Sequence, residues 1–410
     1  MGRHRLARPT LEQAHEVYLR HGKNKAAAAR ELQIPVTTLK HRLAMFDTPA
    51  DGEQATRIIQ LNDMITDLRA QLLRHQRETL DDRYVKEKIL GLAQAAKDCK
   101  VPQWLARSHG AGRTLGLPMT IWSDWHFGER VFPSQVNGVN EYNLTIARER
   151  VRKLVDRTVD LLKNHMVSPN YPGILIALIG DLVSGGIHDE LMATDEAPIM
   201  PVVLELLGIL IWALERMADE FGHVWLICLS GNHGRNTKKI WNKHRNFTNF
   251  DWLIGKLLEV HFRDDKRFTF DISDGPDARA VVYGHRYTFV HGDRLGRGGD
   301  GIIGPIGPIK RGTIRKAARD SQLNLDFDTL CHGHFHTYNP GIRIIGNGSL
   351  IGYNEYAYVE GFDFEIPQQA LWVHSPKRGI TFQMAVQLED RDAGKLGKYG
   401  TTPVAFGRNA

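Results

Sequence analysis

Five short apolar runs in this 410-residue chain each end in Asp, Asn or His, and that repetition narrows the possible folds more than any other feature. The runs are MTIWSD (119–124), ILIALIGD (174–181), VWLICLSGNH (224–233), YTFVHGD (287–293) and DTLCHGHFH (328–336). Apolar segments this short, bounded by Gly and polar residues, read as buried strands. Stretches with helical periodicity lie between several of them, at 144–166, 200–221 and 249–262. Strands alternating with helices predict an α/β architecture, in which functional residues gather at the carboxyl ends of the strands. Polar residues at the end of a core strand need a partner or a task, because burying them unpaired costs free energy.

The strand ends carry Asp124, His126, Asp181, Asn232, His233, His291, Asp293, His334 and His336. A single His in such a place is ordinarily a hydrogen-bonded structural residue. Five strand ends that mix carboxylate, amide and imidazole, without a cysteine, suit a divalent ion such as Mn, Fe, Zn or Co. The set exceeds what one tetrahedral ion takes, so two ions sharing a bridging ligand are expected.

DWH (124–126), GD (180–181), GNH (231–233), HGD (291–293) and GHFH (333–336) occur in the order found in the calcineurin-like metallophosphoesterase superfamily, which the chain resembles over roughly residues 117–385. SDWHFGE is also similar to the start of the SbcD-type DNA exonucleases, and NGSLIGYNEYA resembles bacteriophage-encoded members. The resemblance implies a four-layer α/β/β/α sandwich and two divalent ions, manganese before Fe, Zn or Co. It implies phosphoester hydrolysis by a hydroxide that bridges the ions. Asp124, His126 and His336 would hold the first ion, Asn232, His291 and His334 the second, and Asp181 both. His233 would serve the leaving group. Many members carry an acid after GNH, whereas this chain has Gly234 and then Arg235. Either Asp293 or Asp251 supports His233 instead, or His233 acts by binding phosphate and Arg235 shares that duty.

The net charge of +6 sits entirely in residues 1–46, which hold nine basic and three acidic residues. Such asymmetry points to an anionic partner for that segment. Ala14, Val17 and Tyr18 share one helical face, Lys25 to Leu32 is rich in Ala, and Thr37 or Thr38 can cap a third helix carrying Leu39, Arg42, Leu43 and Phe46. AARELQIPVTTLKHRL resembles the Fis-type or homeodomain-like helix-turn-helix family. The resemblance implies that the last helix enters the major groove, with Thr37, Thr38, Lys40, His41 and Arg42 as candidate DNA contacts. The plainer alternative is a helical dimerisation module with a solvated basic face.

Four segments are expected: a helix-turn-helix domain at 1–46, a linker with a helical segment at 47–116, a catalytic domain at 117–390 and a tail at 391–410. Within the linker, Ile58, Leu61, Ile65, Leu68 and Leu72 form a short a/d seam that either pairs two chains as a homodimer or packs on the catalytic domain. Residues 77–113 read as continuing helix.

Two basic stretches lie near the motifs. RNTKKIWNKHR (235–245) has five basic residues, no acid, and Trp241. Lys238, Lys239 and Trp241 are candidate substrate contacts, as is His188 in the loop after Asp181. Residues 294–319 hold seven basic residues against one acid, with a Gly/Pro-rich middle that reads as a mobile loop. The leading expectation is a two-metal phosphodiesterase that cuts DNA. A phosphatase or nucleotide phosphodiesterase with a regulatory helix-turn-helix is the alternative, and a non-enzymatic DNA-binding protein the third. No apolar run is long enough to span a bilayer, and MGRHRLARPT lacks the apolar core of a signal peptide. Three cysteines, at 99, 228 and 331, fit neither a disulfide framework nor a zinc knuckle, so a cytoplasmic protein is expected, in the host cytoplasm if phage-encoded.

Overall fold

A computed structural model of the chain describes residues 9–46, 101–107, 116–167, 169–187, 189–296 and 306–390. The chain divides into two compact units, Met1–Ala93 and Gln94–Ala410. The 58–72 seam, His188, the stretch 297–305 and the expected tail at 391–410 lie outside the described residues.

The first unit contains α1 (Leu11–Arg20), α2 (Lys25–Glu31) and α3 (Val36–Phe46). A capping box starts α1: Gln13 N–H donates to Thr10 Oγ1, and Thr10 N–H donates to Gln13 Oε1. Asn24 caps α2 by accepting from the N–H groups of Ala26 and Ala27. LQIP joins α2 to α3, and Pro35 stands where its missing N–H costs no helical bond. As a result α3 opens at Val36, and Thr37 and Thr38 lie inside its first turn instead of capping it. Ala14, Val17, Ala28, Ala29, Leu39 and Leu43 form the core, where the small alanines let the helices approach closely. Arg42 follows Leu39 by three residues and precedes Leu43, so it shares their face and is buried. It is therefore not on the exposed surface with Thr37 and Lys40, which corrects the expectation for that residue. Thr38 is half-buried, and the His41 side chain lies outside the described residues.

The second unit is mixed α/β, with two sheets and several helices. After α4 (Gln103–Arg107) come β1 (Leu117–Trp122), α5 (Leu144–Lys163), β2 (Ile174–Leu178), α6 (Asp189–Thr194), α7 (Ile199–Phe221), β3 (Val224–Cys228), α8 (Phe250–His261) and β4 (Phe268–Ile272). Next are β5 (Asp277–Val282), β6 (His285–Val290), α9 (Ile306–Gln322), β7 (Thr329–His332), β8 (Asn339–Pro340), β9 (Ile344–Gly346), α10 (Glu355–Val359), β10 (Gln368–Ser375) and β11 (Gly379–Gln387). One sheet has the order β11-β10-β1-β2-β3-β4, the other β5-β6-β7-β9-β8. Strands β1 to β4 run parallel, as do β6, β7 and β9.

The period of two along each strand divides the core. Ile174, Ile176 and Leu178 of β2 pack with α5 and α7 in one cluster. Their neighbours Leu175 and Ala177 belong to a second cluster, with Ala278, Ala280, Tyr287 and Phe289 of the other sheet. Strand β3 divides the same way, with Leu226 and Cys228 in the first cluster and Trp225 and Ile227 in the second. The central strands β1, β2 and β3 are thus buried on both faces, which explains why they are almost continuously apolar. Each fully buried Leu, Ile or Val contributes about 1.5–3 kcal/mol.

The basic stretch 294–319 is not a loop throughout. From Ile306 it is helix, with Pro308 in the first turn, where proline is tolerated. Lys316 and Arg319 of this helix pair with Asp277 and Asp320, so their charge is offset within the fold.

Candidate metal centre

Parallel strands place their carboxyl ends at one edge, and both sheets contribute to the same place. Asp124 and His126 follow β1, Asp181 follows β2, and Asn232 and His233 follow β3. From the other sheet, His291 follows β6 and His334 and His336 follow β7.

Three overlapping groups result: Asp124, His126 and His336; Asp181, His291 and His334; and His126, Asp181 and His233. The ligand atoms of each group lie within 4.8 Å of one another. His126 Nε2 and His336 Nε2 approach to 3.1 Å. His291 Nε2 is 2.9 Å from Asp181 Oδ2 and 3.1 Å from Asn232 Oδ1, which brings Asn232 into the second group. His334 N–H donates to Asp124 Oδ1, which ties the two sheets' loops together, and His233 N–H donates to Asp181 Oδ1, which joins the β2 and β3 loops of the first sheet.

The residues present fit divalent cations. His291 Nδ1 donates to Ile179 O at 2.9 Å, and His233 Nδ1 to Ser184 O at 2.8 Å. The Glu129 carboxylate lies 3.3 Å from His126 Nδ1, and Asn354 Nδ2 donates to Glu129 in turn. Holding Nδ1 this way fixes the ring and turns Nε2 toward the cluster, the arrangement metal-ligating histidines use. Burial opposes charge on His126, yet Glu129 outweighs it and lifts the pKa to about 9. Burial opposes charge on His291 too, and Asp181 and Asp124 lift it to about 10. His126 and His291 are therefore favoured as cations beside carboxylates, a place that a divalent cation also suits, whereas burial lowers His334 to about 4 and lowers His336 too, toward the neutral form that binds a metal. No helix among the described residues is long and apolar enough to cross a membrane.

The backbone carries a signal that composition does not. Asp124, His126, Asp181, His334 and His336 have φ of 57°, 46°, 50°, 69° and 51°. Non-glycine residues avoid this region, at a cost of about 1–3 kcal/mol each, and it recurs at functional sites. Gly231 meets a different demand. A Cβ there would stand 2.1 Å from Asp181 Oδ1, so only glycine lets the β3 loop pass.

Neither acid expected to support His233 does so. Asp251 is buried and accepts from the N–H groups of Asp181, Leu182 and Gly231, stitching the β2 and β3 loops together. Asp293 pairs with Arg245 and Arg294. His233 rests on the Ser184 carbonyl, and burial lowers its pKa to about 4. Gly234 has no room for an acid, because a Cβ would lie 2.5 Å from Asn249 Oδ1 and 2.9 Å from Asp251 Oδ2. Arg235 donates to Asn232 O at 2.7 Å and to Thr237 O at 3.1 Å, which fixes it beside the cluster. Lys238, Lys239 and Trp241 are exposed on the loop that follows.

Supporting residues that the motifs do not single out complete the centre. Ser123 Oγ donates to Asp124 Oδ2. Asn347 Nδ2 donates to Ser123 Oγ at 2.9 Å and its Oδ1 accepts from Ala370 N–H, linking β1 to β10. Ser184 Oγ donates to Asp195 at 2.8 Å. Only Glu129, an acid three residues after His126, left a trace in the sequence.

No protein-family model matches the chain, and no curated protein matches it. Among solved structures the chain is similar to the sulfate thiohydrolase SoxB of Thermus thermophilus, at 10% identity and TM-score 0.30, covering 68% of this chain and spanning 58% of that one. It is also similar to Vps29 of Chaetomium thermophilum, at 9% identity and TM-score 0.24, covering 66% and 97%. The phosphopantetheinyl hydrolase of Mycobacterium tuberculosis gives 12% identity and TM-score 0.24, covering 57% and 90%. Likenesses this loose carry no functional argument. Fold and site together define a mixed α/β protein with a candidate divalent-metal centre of Asp and His residues.

Proposed function

We propose that this chain is a two-metal phosphoesterase of the calcineurin-like type that hydrolyses phosphodiester bonds in DNA. The observation that carries the reading is the place of Asp181. It stands in two of the three groups, between donors from the first sheet and donors from the second. Helices on one face of the paired sheets, and α9 bonded to the edge strand of the other, support a four-layer sandwich.

Bound divalent ions would lower the pKa of water and offset charge on phosphoryl oxygens. Asp124, His126 and His336 would hold one ion, Asn232, His291 and His334 the other, and Asp181 both. His233, its Nδ1 tied to Ser184 O, presents Nε2 to the substrate. In the neutral ring Nε2 accepts, so donation to a leaving oxygen requires the imidazolium, which an incoming phosphate favours. Arg235 offers its guanidinium beside Asn232 for a phosphoryl oxygen. In the first unit, α2 and α3 act as a helix-turn-helix that reads DNA through Thr37, Thr38, Lys40 and His41, without Arg42.

The test loads the protein with manganese and counts bound metal. It then offers p-nitrophenyl phosphate, bis-p-nitrophenyl phosphate and labelled single- and double-stranded DNA. Diester and DNA cleavage with about two ions per chain is the expected outcome. Cleavage of the monoester alone, with DNA intact, sinks the nuclease reading and leaves a phosphatase. Removing residues 1–46 is expected to weaken DNA retention while diester hydrolysis persists.

A further inference from the structure

Beside the metal centre lies a cavity of about 310 Å³, lined by Asn242, His244, Arg245, Asn246, Arg294 and the 274–276 turn. That volume is at the small end of ligand sites. A narrow slot adjoins it, lined by Asn232, Arg235, Trp241 and Arg245 among others. Arg245 lines both, so the two hollows share one guanidinium wall, and the slot is lined by a candidate metal ligand, Asn232.

The arginines are placed by the fold. Asp293 Oδ2 lies 3.0 Å from Arg245 Nη2 and 3.5 Å from Arg294 Nε. Asp293 is itself two residues beyond His291, so the loop that carries a candidate ligand after β6 also anchors both guanidinium groups. Two cations share one carboxylate, so one positive charge is left on that side, and Asp274 is the acid in the lining. Arg294 Nη2 further donates to Asn242 Oδ1 at 3.3 Å. His244 is held at φ 55°, a conformation costly for a side chain of its size and adopted also by five of the candidate ligands. Across the cavity Asp274 accepts from Trp252 Nε1 at 3.3 Å and supplies an acceptor at the far side. Trp241 is half exposed at the slot, where a flat aromatic face is open to stacking.

We propose that this cavity is a subsite for the nucleotide next to the scissile phosphate, so that the centre engages a polynucleotide strand across at least two phosphates. The proposal rests on the phosphodiesterase reading above and names its substrate class. The order of charges along the path, Arg235, Arg245 and Arg294, suits a backbone that continues away from the metals. Trp241 stacks a base between them, and Asn242 and Asp274 meet the edge of the next. A phosphomonoester or a small diester fills the centre and leaves the cavity empty.

The test compares the full-length protein with Arg294→Glu and Arg294→Lys. Binding of a fluorescein-labelled tetrathymidylate is followed by anisotropy in EDTA over a salt series, and hydrolysis of the same strand and of bis-p-nitrophenyl phosphate is followed with manganese. Arg294→Glu is expected to weaken strand binding at least tenfold and make the log–log salt slope shallower by about 0.7, the value of one single-strand phosphate contact. Arg294→Lys is expected to recover most of the loss. Under manganese, kcat/KM on the strand should fall at least tenfold more than on the small diester, through KM. Equal strand affinity in wild type and Arg294→Glu, or no strand binding by wild type, overturns the subsite and leaves the phosphodiesterase reading untouched. Arg294-dependent strand binding without hydrolysis of any diester preserves the subsite and removes the phosphodiesterase reading.

Discussion

The candidate metal centre and the basic loop at 235–245 are neighbours built on opposite principles. The centre is buried, stitched by backbone hydrogen bonds, and held in backbone conformations that side chains avoid. Most of the loop is exposed, with Lys238, Lys239 and Trp241 reaching solvent. A buried polar cluster has every partner specified, so removing one donor leaves others unpaired in low dielectric. An exposed cation exchanges one hydration shell for another and is screened by salt. Substitutions in the centre should therefore act all-or-none, and those in the loop by degrees.

The strongest break in this contrast should come from Asp181→Asn. Asp181 stands in two ligand groups, so manganese affinity by isothermal titration is expected to fall by more than about 100-fold. Glu129→Gln should come next, with a loss of about 10–100-fold in metal affinity, because the carboxylate behind His126 is gone while the ligands remain. If titration shows Glu129→Gln equal to wild type, the ring is oriented by something else. Gly234→Ala tests packing without touching a ligand. Its Cβ would meet Asn249 and Asp251, and thermal denaturation should show about 1–3 kcal/mol of destabilisation.

Smaller changes belong to the loop and its surroundings. Lys238→Ala and Lys239→Ala should each raise KM for a DNA strand a few-fold at low salt, with the difference fading at high salt, and leave metal content unaltered. A loss of bound metal in either variant would erase the distinction between the two regions. An effect read by pH and not by ranking concerns Asp195, which burial pushes up to about 7. A carboxyl group raised in the folded state binds a proton there that the unfolded chain releases. The stability that Asp195 contributes should therefore fall as pH rises from about 4 to 7 and then level off. Asp195→Asn lacks this dependence, so its melting temperature relative to wild type in EDTA should climb between pH 4.5 and pH 8.

The chemistry of the centre was readable in the chain because strands announce themselves by period and end abruptly. Asp124, Asp181, Asn232, His291, His334 and their neighbours stand out as polar residues closing apolar runs. Elsewhere a side chain's direction or a long-range contact decided. Arg42 is a candidate DNA contact by resemblance, but its three-residue spacing from Leu39 turns it toward the core between the helices, where it is buried. Lys316 and Arg319 read as loop charges open to a polyanion, yet α9 sets them against Asp277 and Asp320. The question of what supports His233 in place of an acid at position 234 had two sequence candidates, Asp251 and Asp293. A backbone carbonyl, which has no letter in the sequence, took the role.

Local pattern alone was enough to specify an α/β core, polar strand ends that mix carboxylate, amide and imidazole, and a basic helical segment before them. Those are properties of residues within a few positions of each other, set by side-chain period and by charge. The meeting of β1, β2 and β3 ends with those of β6 and β7, the positive φ at five candidate ligands, and the sharing of Asp293 between two arginines were decided only by the tertiary structure. Each depends on segments more than about 40 residues apart, or on backbone strain that only surrounding packing can sustain.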